Sequence, residues 1–537
     1  MAERAELSTG EALVGLLEAY GVTNVFGIPG VHNVEMYRAL PRSAITHVLP
    51  RHEQGAGFMA DGYARATGRP GVCFTITGPG LTNILTPMGQ AYSDSVPMLV
   101  LSSALDIVDA AQGRGRLHEM ASQRGAAQSI TSAAMTAMTP EDVRDGVAES
   151  FARLATQRPR PTYVELPLDL LKVPAGEGWR ARTLPGRSAP STQDIARAAK
   201  LLSAAKDPVV IAGGGAVDAA EAATRLVDQL GALALTTIAG KGVIPSSHPL
   251  CVGSRMPQDG VKEMLKAADV VLAVGSELSE TDFWELKLSI PGKLIRVDID
   301  PASIARPHAA EIAILADARA TLEALSAALP KADVAARRAR NVERVRAYLA
   351  AEPGTEEALR SDLRQVLGVI RKALPEDTIL ATDMTQIAYA ANEIFPVEHP
   401  RQWLHPAGFG TLGYALPAGI GAKVAHPERP VAVLAGDYGF QYTINELGTA
   451  AELGQNLVIL LWNNDALGQI RDDMVMKGIQ PNAVTLRNPD FEGIARAYGC
   501  TYWRPESLES LAKIIADALA TEGRPTVIEM TPRMLRP

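Results

Sequence analysis

The sequence is poor in cysteine, in net positive charge and in long apolar runs, and each shortage closes off a class of protein. Its three cysteines, Cys73, Cys251 and Cys500, stand far apart without metal-binding spacing. A disulfide framework and a zinc site are therefore excluded, and a reducing cytoplasm is the expected compartment. Basic residues number 52 against 60 acidic, a formal charge of −8, which leaves no footprint for nucleic acid and no basic face for a membrane. No apolar run approaches the roughly 20 residues that span a bilayer. The N-terminus, MAERAELSTGEAL, opens with charges and runs straight into a helical pattern, unlike a secretory signal.

What is there is a globular composition, 47% hydrophobic and 21% charged, over 537 residues. That length is too great for one core and fits three domains of ordinary size. Residues 8–20 place Ala12, Leu13, Leu16 and Leu17 on one helical face behind a Ser/Thr cap and Glu11. A strand-like run at 22–30, a strand–turn–helix–strand segment at 47–80 and a further strand-like run at 96–104 alternate strand with helix, the mark of a doubly wound α/β unit that closes near 163–170. A Gly/Pro/Arg/Ser-rich linker, 172–192, leads to a second unit with apolar runs at 208–217, 269–278 and 293–301. Its Gly213-Gly214-Gly215 loop could cradle phosphate, yet it lacks the full G-x-G-x-x-G pattern, and a plain tight turn is the simpler reading. A charged helical stretch over 335–362 precedes a third unit. The expected domains are 1–172, 190–335 and 358–537.

The third unit contains the most informative stretch. Val431–Ala435 and Leu457–Trp462 are apolar runs that end at Gly436-Asp437 and at Asn463-Asn464, with an amphipathic segment between. Strand, turn, helix and strand bring both strand ends to one edge of a parallel sheet, where ligands of open α/β sheets bind. One carboxylate and one amide oxygen are the hard ligands that Mg²⁺ prefers, with room left for phosphate oxygens and water.

This stretch resembles the signature of thiamine-diphosphate-dependent enzymes, Gly-Asp-Gly followed by Asn-Asn, with Asp437 and Asn464 27 positions apart. The third signature residue is Tyr438 instead of Gly, as in the glyoxylate carboligases of that family. RHEQGAGFMADGYAR (51–65) and GFGTLG (408–413) match further family segments, and the resemblance, to enzymes like acetolactate synthase, covers essentially the whole chain. It implies three doubly wound parallel-sheet domains in the order pyrimidine-binding, central and diphosphate-binding. It also implies bound thiamine diphosphate and Mg²⁺. FAD, which some relatives carry, is not indicated.

The resemblance assigns roles. Asp437, Asn464 and the carbonyl of Ala466 would hold the metal, and Gly436, Tyr438 and Leu467 would adjoin the diphosphate. Gly410 would hold the cofactor's amine, and Leu412 would be the apolar wedge that bends it. Glu53 would protonate the aminopyrimidine ring. On its own a glutamate at a helix start is usually solvated, so the role rests on the match. Glyoxylate carboligases lack this Glu, and the chain parts from them there. Because Glu53 and the clamp lie on different subunits in the family, a homo-oligomer, dimer or tetramer, is implied.

Two departures from acetolactate synthases bear on the substrate. In DALGQIRDDMVMKG, Gln469 replaces a Met that faces the pocket and Asp473 replaces a Trp, four residues apart on one helix face. A carboxylate in an otherwise dry pocket calls for a cation, best a guanidinium; Asp472 is adjacent. In GRLHEMASQ, Leu117, His118 and Glu119 replace another part of the lining, and His118 reads either as a proton relay or as a surface-loop histidine. Together these segments resemble thiamine-dependent decarboxylases of 5-guanidino-2-oxopentanoate. A small-molecule 2-oxo acid is the implied substrate, with an aldehyde and CO₂ as products. The alternative is a carboligase like acetolactate synthase, in which the same intermediate attacks a second carbonyl. A non-catalytic binding protein on this fold would have no use for Glu53, Asp437 and Asn464 together.

Overall fold

The computed structural model describes residues 6–110, 112–286, 288–355 and 357–535. Three six-stranded, wholly parallel sheets follow one another along the chain. In the first, Thr46–Val48, Asn24–Gly27, Gly71–Thr75, Met98–Ala104, Thr162–Pro167 and Ala133–Thr136 lie side by side in that order. In the third the order is Trp403–Leu404, Ile379–Thr382, Val431–Gly436, Val458–Trp462, Thr526–Met530 and Thr501–Trp503. Both therefore run second, first, third, fourth, sixth, fifth. The central sheet differs: Pro208–Ala212 and Val270–Val274 are neighbours at its middle, with the earlier strands on one side and the later ones on the other. In the first and third sheets the order reverses between the first and third strands, and in the central sheet between Pro208–Ala212 and Val270–Val274; such a reversal opens a crevice at the carboxyl ends of the strands.

Local chemistry accounts for the elements. Helix Thr9–Ala19 starts on a full capping box between Ser8 and Glu11 and buries Ala12, Leu13, Leu16 and Leu17. The linker after Lys172 has no regular element up to Thr192, yet it is not loose. Pro174 bridges Ser8, and the Trp179 indole donates to the Ala175 carbonyl at 2.8 Å. The stretch expected to be helical over 335–362 is divided: a helix ends at Ala351, a 3₁₀ turn covers Glu352–Thr355, and a new helix begins at Ala358. Pro353 explains the break, because it has no N–H to give and disfavours helix in the residue before it.

The first and third sheets share one hydrophobic core. Helix Glu53–Thr67 packs lengthwise on helix Ala415–Ala425, and their backbones touch. A Cβ on Gly62 would lie 2.1 Å from the Ala418 carbonyl oxygen, and one on Gly421 would lie 1.9 Å from that of Met59. A buried polar cluster locks the same contact. Arg65 reaches Asp61 at 2.6 Å and Asp94 at 2.8 Å, and Tyr414 donates to Asp61 at 2.7 Å. This docking fixes where the helix that begins with Glu53 stands relative to the third sheet.

Candidate functional site

Asp437 follows strand Val431–Gly436 directly and begins the next helix; Asn464 comes two residues after strand Val458–Trp462. The strands pair in register, Gly436 beside Trp462, so both side chains emerge at one edge. Asp437 is buried. Its Oδ1 accepts from the Tyr438 amide at 2.9 Å and its Oδ2 from Asn488 Nδ2 at 2.8 Å. Burial raises its carboxyl above the usual range, while the Asn488 amide and the backbone amides of Tyr438 and Asp465 oppose that rise. Asn464 turns its amide nitrogen to Gln386 Oε1 at 3.2 Å, which leaves its oxygen available as a ligand. Among the described residues no cluster of three or more His, Cys, Asp or Glu side chains forms a cage. A carboxylate and an amide oxygen side by side therefore fit a metal that completes its shell with phosphate and water.

Tyr438 is accommodated without strain. It lies within helix Asp437–Tyr442, has no positive φ, and its ring meets Tyr442 edge-on at 5.4 Å. Ala466 is buried and bridges Thr485, and the Leu467 amide donates to the Val484 carbonyl at 2.9 Å. The segment after the clamp is thus tied to 484–485. Gln386 and Asn488 are supporting residues that the sequence reading missed. Both lie outside the signature, and only the fold brings them to it.

Gly410, at φ +66°, and the half-buried Leu412 belong to the loop before helix Ala415–Ala425. Two anchors hold that loop. Gln90 Oε1 accepts from Thr411 Oγ1 at 2.8 Å, and Asp383 accepts from the Gly413 amide at 3.0–3.1 Å. Asp383 is buried, and desolvation pushes its carboxyl up to about 6 against the pull of those backbone amides. A buried acid one residue past strand Ile379–Thr382 is the signal that could have singled it out.

Glu53, 9% exposed, is the first residue of its helix, and Asn83 Nδ2 donates to its Oε2 at 2.9 Å. The Thr77–Gly80 turn packs against both Glu53 and His118. A Cβ on Gly80 would lie 3.6 Å from Glu53 Oε1, and one on Gly78 would lie 2.6 Å from the His118 carbonyl oxygen. His118 adopts φ +66°, and its ring faces His32 edge-on at 4.8 Å. The carboxylate of the neighbouring Glu119 folds back on its own loop and accepts from the amides of Gly113, Arg114 and Arg116. Asp109 pairs with the Arg114 and Arg116 side chains, so the loop presenting His118 is internally braced. Leu117 is exposed. Among the described residues no hydrogen bond or ion pair joins Glu53 to Asp437 or Asn464 within the chain.

Helix Gly468–Met476 starts just after the clamp. Gln469 Nε2 donates to Asp473 Oδ1 at 3.1 Å, which places the two on one face as their spacing predicts. Asp472 is taken up elsewhere, by Gln386 Nε2 at 2.7 Å and Arg471 Nε at 3.2 Å. Asp473 has no Lys or Arg partner among the described residues. It does face Tyr389, whose phenol is raised to about 12 by burial first and then by Asp383 and Asp473. At the reversal point of the central sheet, the 213–215 loop borders a cavity of about 430 Å³. Gly215 donates to the Gly275 carbonyl at 2.9 Å, so close backbone approach explains these glycines. Asp298, Glu277 and Asp282 line the cavity, and its Arg158 is already paired with Glu277 and Asp300.

Comparison with known proteins agrees with this geometry. Three family models of thiamine pyrophosphate enzymes match: the N-terminal TPP binding domain over residues 7–128, the central domain over 195–325 and the C-terminal TPP binding domain over 383–530. The chain is 49% identical over 534 residues to the probable 2-ketoarginine decarboxylase AruI of Pseudomonas aeruginosa, covering 99% of this chain and 95% of that protein. It is 34% identical to the acetolactate synthase large subunit of Corynebacterium glutamicum, over 97% of this chain and 86% of that one. It is 32% identical to the acetolactate synthase isozyme 3 large subunit of Escherichia coli, over 92% and 89%.

Proposed function

This chain belongs to the thiamine pyrophosphate enzyme family, and on that footing we propose that it decarboxylates 5-guanidino-2-oxopentanoate, which is 2-ketoarginine, without oxidation, releasing CO₂ and an aldehyde. The observation that carries the substrate is Asp473. A carboxylate with no Lys or Arg partner among the described residues, on the helix that follows the proposed metal clamp, is the complement of a guanidinium. The relative named as a 2-ketoarginine decarboxylase supports the same reading, and the acetolactate synthases support it less because they are more distant.

When bound, thiamine diphosphate supplies the electron sink for carbon–carbon cleavage. The rest falls to this chain. Asp437 and Asn464, with the Ala466 carbonyl, offer oxygens to Mg²⁺, which would anchor the diphosphate beside Gly436, Tyr438 and Leu467. Gly410 and Leu412 shape the floor on which the cofactor bends. Glu53, with Oε2 held by Asn83, keeps Oε1 free to share a proton with a ring nitrogen in a site of low dielectric, where that interaction is strong. His118 carries the proton that replaces CO₂ on the substrate carbon, and Gln469 orients Asp473 toward the substrate's charged end. Asp472 acts through Gln386 on the clamp. Among the described residues no hydrogen bond or ion pair joins Glu53 to the clamp within one chain, which supports a complete site formed between subunits of a homodimer, alone or paired into a tetramer. No helix among the described residues is long and apolar enough to cross a membrane, and a cytoplasmic location fits the reduced cysteines.

The test is CO₂ release by purified protein with thiamine diphosphate and Mg²⁺, on 5-guanidino-2-oxopentanoate and on pyruvate, with product identification. An aldehyde from the guanidino acid, with pyruvate poor, is expected. Acetolactate from pyruvate would establish the carboligase instead.

A further inference from the structure

His32 lies in the loop after strand Asn24–Gly27, at the reversal point of the first sheet, and nothing in the sequence motifs marks it. The loop is pinned by the buried Asn33, which accepts from the Gly30 amide at 2.7 Å and donates to the Ile28 carbonyl at 3.0 Å. His32 is held edge-on to His118 with ring centres 4.8 Å apart, and the His118 backbone packs against Gly78, in the turn whose Gly80 lies beside Glu53. In both rings Nδ1 is buried and has no hydrogen-bond partner. Two imidazoles so close resist being charged together, and such groups titrate as a pair. Burial first, then His118, lowers His32 from the ordinary histidine value; Asp106, just past strand Met98–Ala104, opposes them. These are the charged groups that face it.

Resting on the decarboxylase reading, we infer that His32 and His118 form a one-proton imidazole pair in which His32 recharges His118 in each turnover. The cycle balances. CO₂ leaves the substrate carbon with its bonding pair left behind. An N–H bond of His118 breaks as the new C–H bond forms, and the vacated His118 nitrogen takes a proton from His32, which has drawn it from water. No oxidant is involved. His118 touches the reacting carbon; His32 is a positioning residue that acts through it.

Two measurements test this on the cofactor-loaded protein. The first follows carbethoxylation of each histidine by diethyl pyrocarbonate from about pH 5 to about pH 9, residue by residue, with peptide mass spectrometry. The wild type should show a His32 step below that of an ordinary histidine, and His118→Gln should move that step up. A His32 step that ignores the loss of His118 overturns the pair. The second is turnover. His32→Gln should lower kcat by about tenfold to a hundredfold with KM within about twofold, and should alter the pH profile of kcat. Added imidazole should restore part of the rate to His32→Gly, which a merely structural role would not allow. Unchanged kcat in His32→Gln, or no rescue, overturns the relay. A wild type that releases CO₂ from no 2-oxo acid defeats the decarboxylase reading instead, and the titration arm then still decides whether the pair exists.

Discussion

Asn488 donates one amide nitrogen to the clamp carboxylate of Asp437 at 2.8 Å, to Asn463 Oδ1 at 2.8 Å and to Asp465 Oδ1 at 3.1 Å. Gln441 Nε2 in turn donates to its oxygen at 3.0 Å. One side chain therefore ties together the ends of the two strands on which the proposed metal ligands stand. Its partner on the other side is Gln386, which accepts from Asn464 and donates to Asp472. Ligands oriented by such neighbours bind metal more tightly, because their lone pairs are already aimed.

Asn488→Ala should weaken Mg²⁺-dependent binding of thiamine diphosphate by about tenfold to a hundredfold. Isothermal titration calorimetry on the apoprotein reads this directly, without reference to turnover. An affinity unchanged from wild type would show that Asp437 needs no such support.

Glu53→Gln preserves size and burial and removes the proton-sharing carboxyl. Turnover should fall by about 10²- to 10⁴-fold, the usual worth of a positioned acid or base. Cofactor affinity, measured by thermal shift or calorimetry, should stay within a few-fold of wild type. A near-normal rate would remove Glu53 from the mechanism.

Asp473→Asn keeps the shape of the helix face and its contact with Gln469 but discards the charge. KM for 5-guanidino-2-oxopentanoate should rise more than about tenfold, since a hydrogen bond between charged groups is worth about 1.5–3 kcal/mol. KM for pyruvate, which has no cation to recognise, should barely move. An equal effect on both substrates would mean that Asp473 does not read the guanidinium.

Asp383 links stability to pH with a definite sign. Its carboxyl is raised from 3.8 to about 6 in the folded protein, so the native state holds a proton that the unfolded state has lost between those values. Its contribution is fully present below about pH 4 and disappears as pH rises through about 6. Urea unfolding of Asp383→Asn across that interval should therefore show a flatter pH dependence than the wild type. Parallel curves would place the titration elsewhere.

Much of the site was legible because its chemistry is local. Asp437 and Asn464 each sit at the end of an apolar run, and alternation of strands and helices dictates that both ends reach one edge. Gln469 and Asp473 are one helical turn apart, and any helix there must put them together. The capping box of Ser8 and Glu11 is equally local. The 335–362 stretch misled because its composition favours helix while a single Pro353 overrides it.

Other features have no local signature. Asn83 meets Glu53 from the next helix, and Asn488 meets Asp437 from a loop 51 residues on. His32 meets His118 across the reversal of the first sheet, and Glu119, which looked like pocket lining, spends its charge on its own backbone. The triple glycine 213–215 read as a tight turn, and the cavity beside it depends on strand order. By itself the sequence determined three parallel α/β units and singled out the candidate clamp and the unusual acid at 473, because spacing within one strand–turn–helix brings those together, while Glu53 stood out only through its match to the family segment. Only the tertiary structure decided which polar side chains support them. A hydrogen bond needs its partners within about 3 Å, and residues far apart in the chain reach that distance only when sheets and helices have packed.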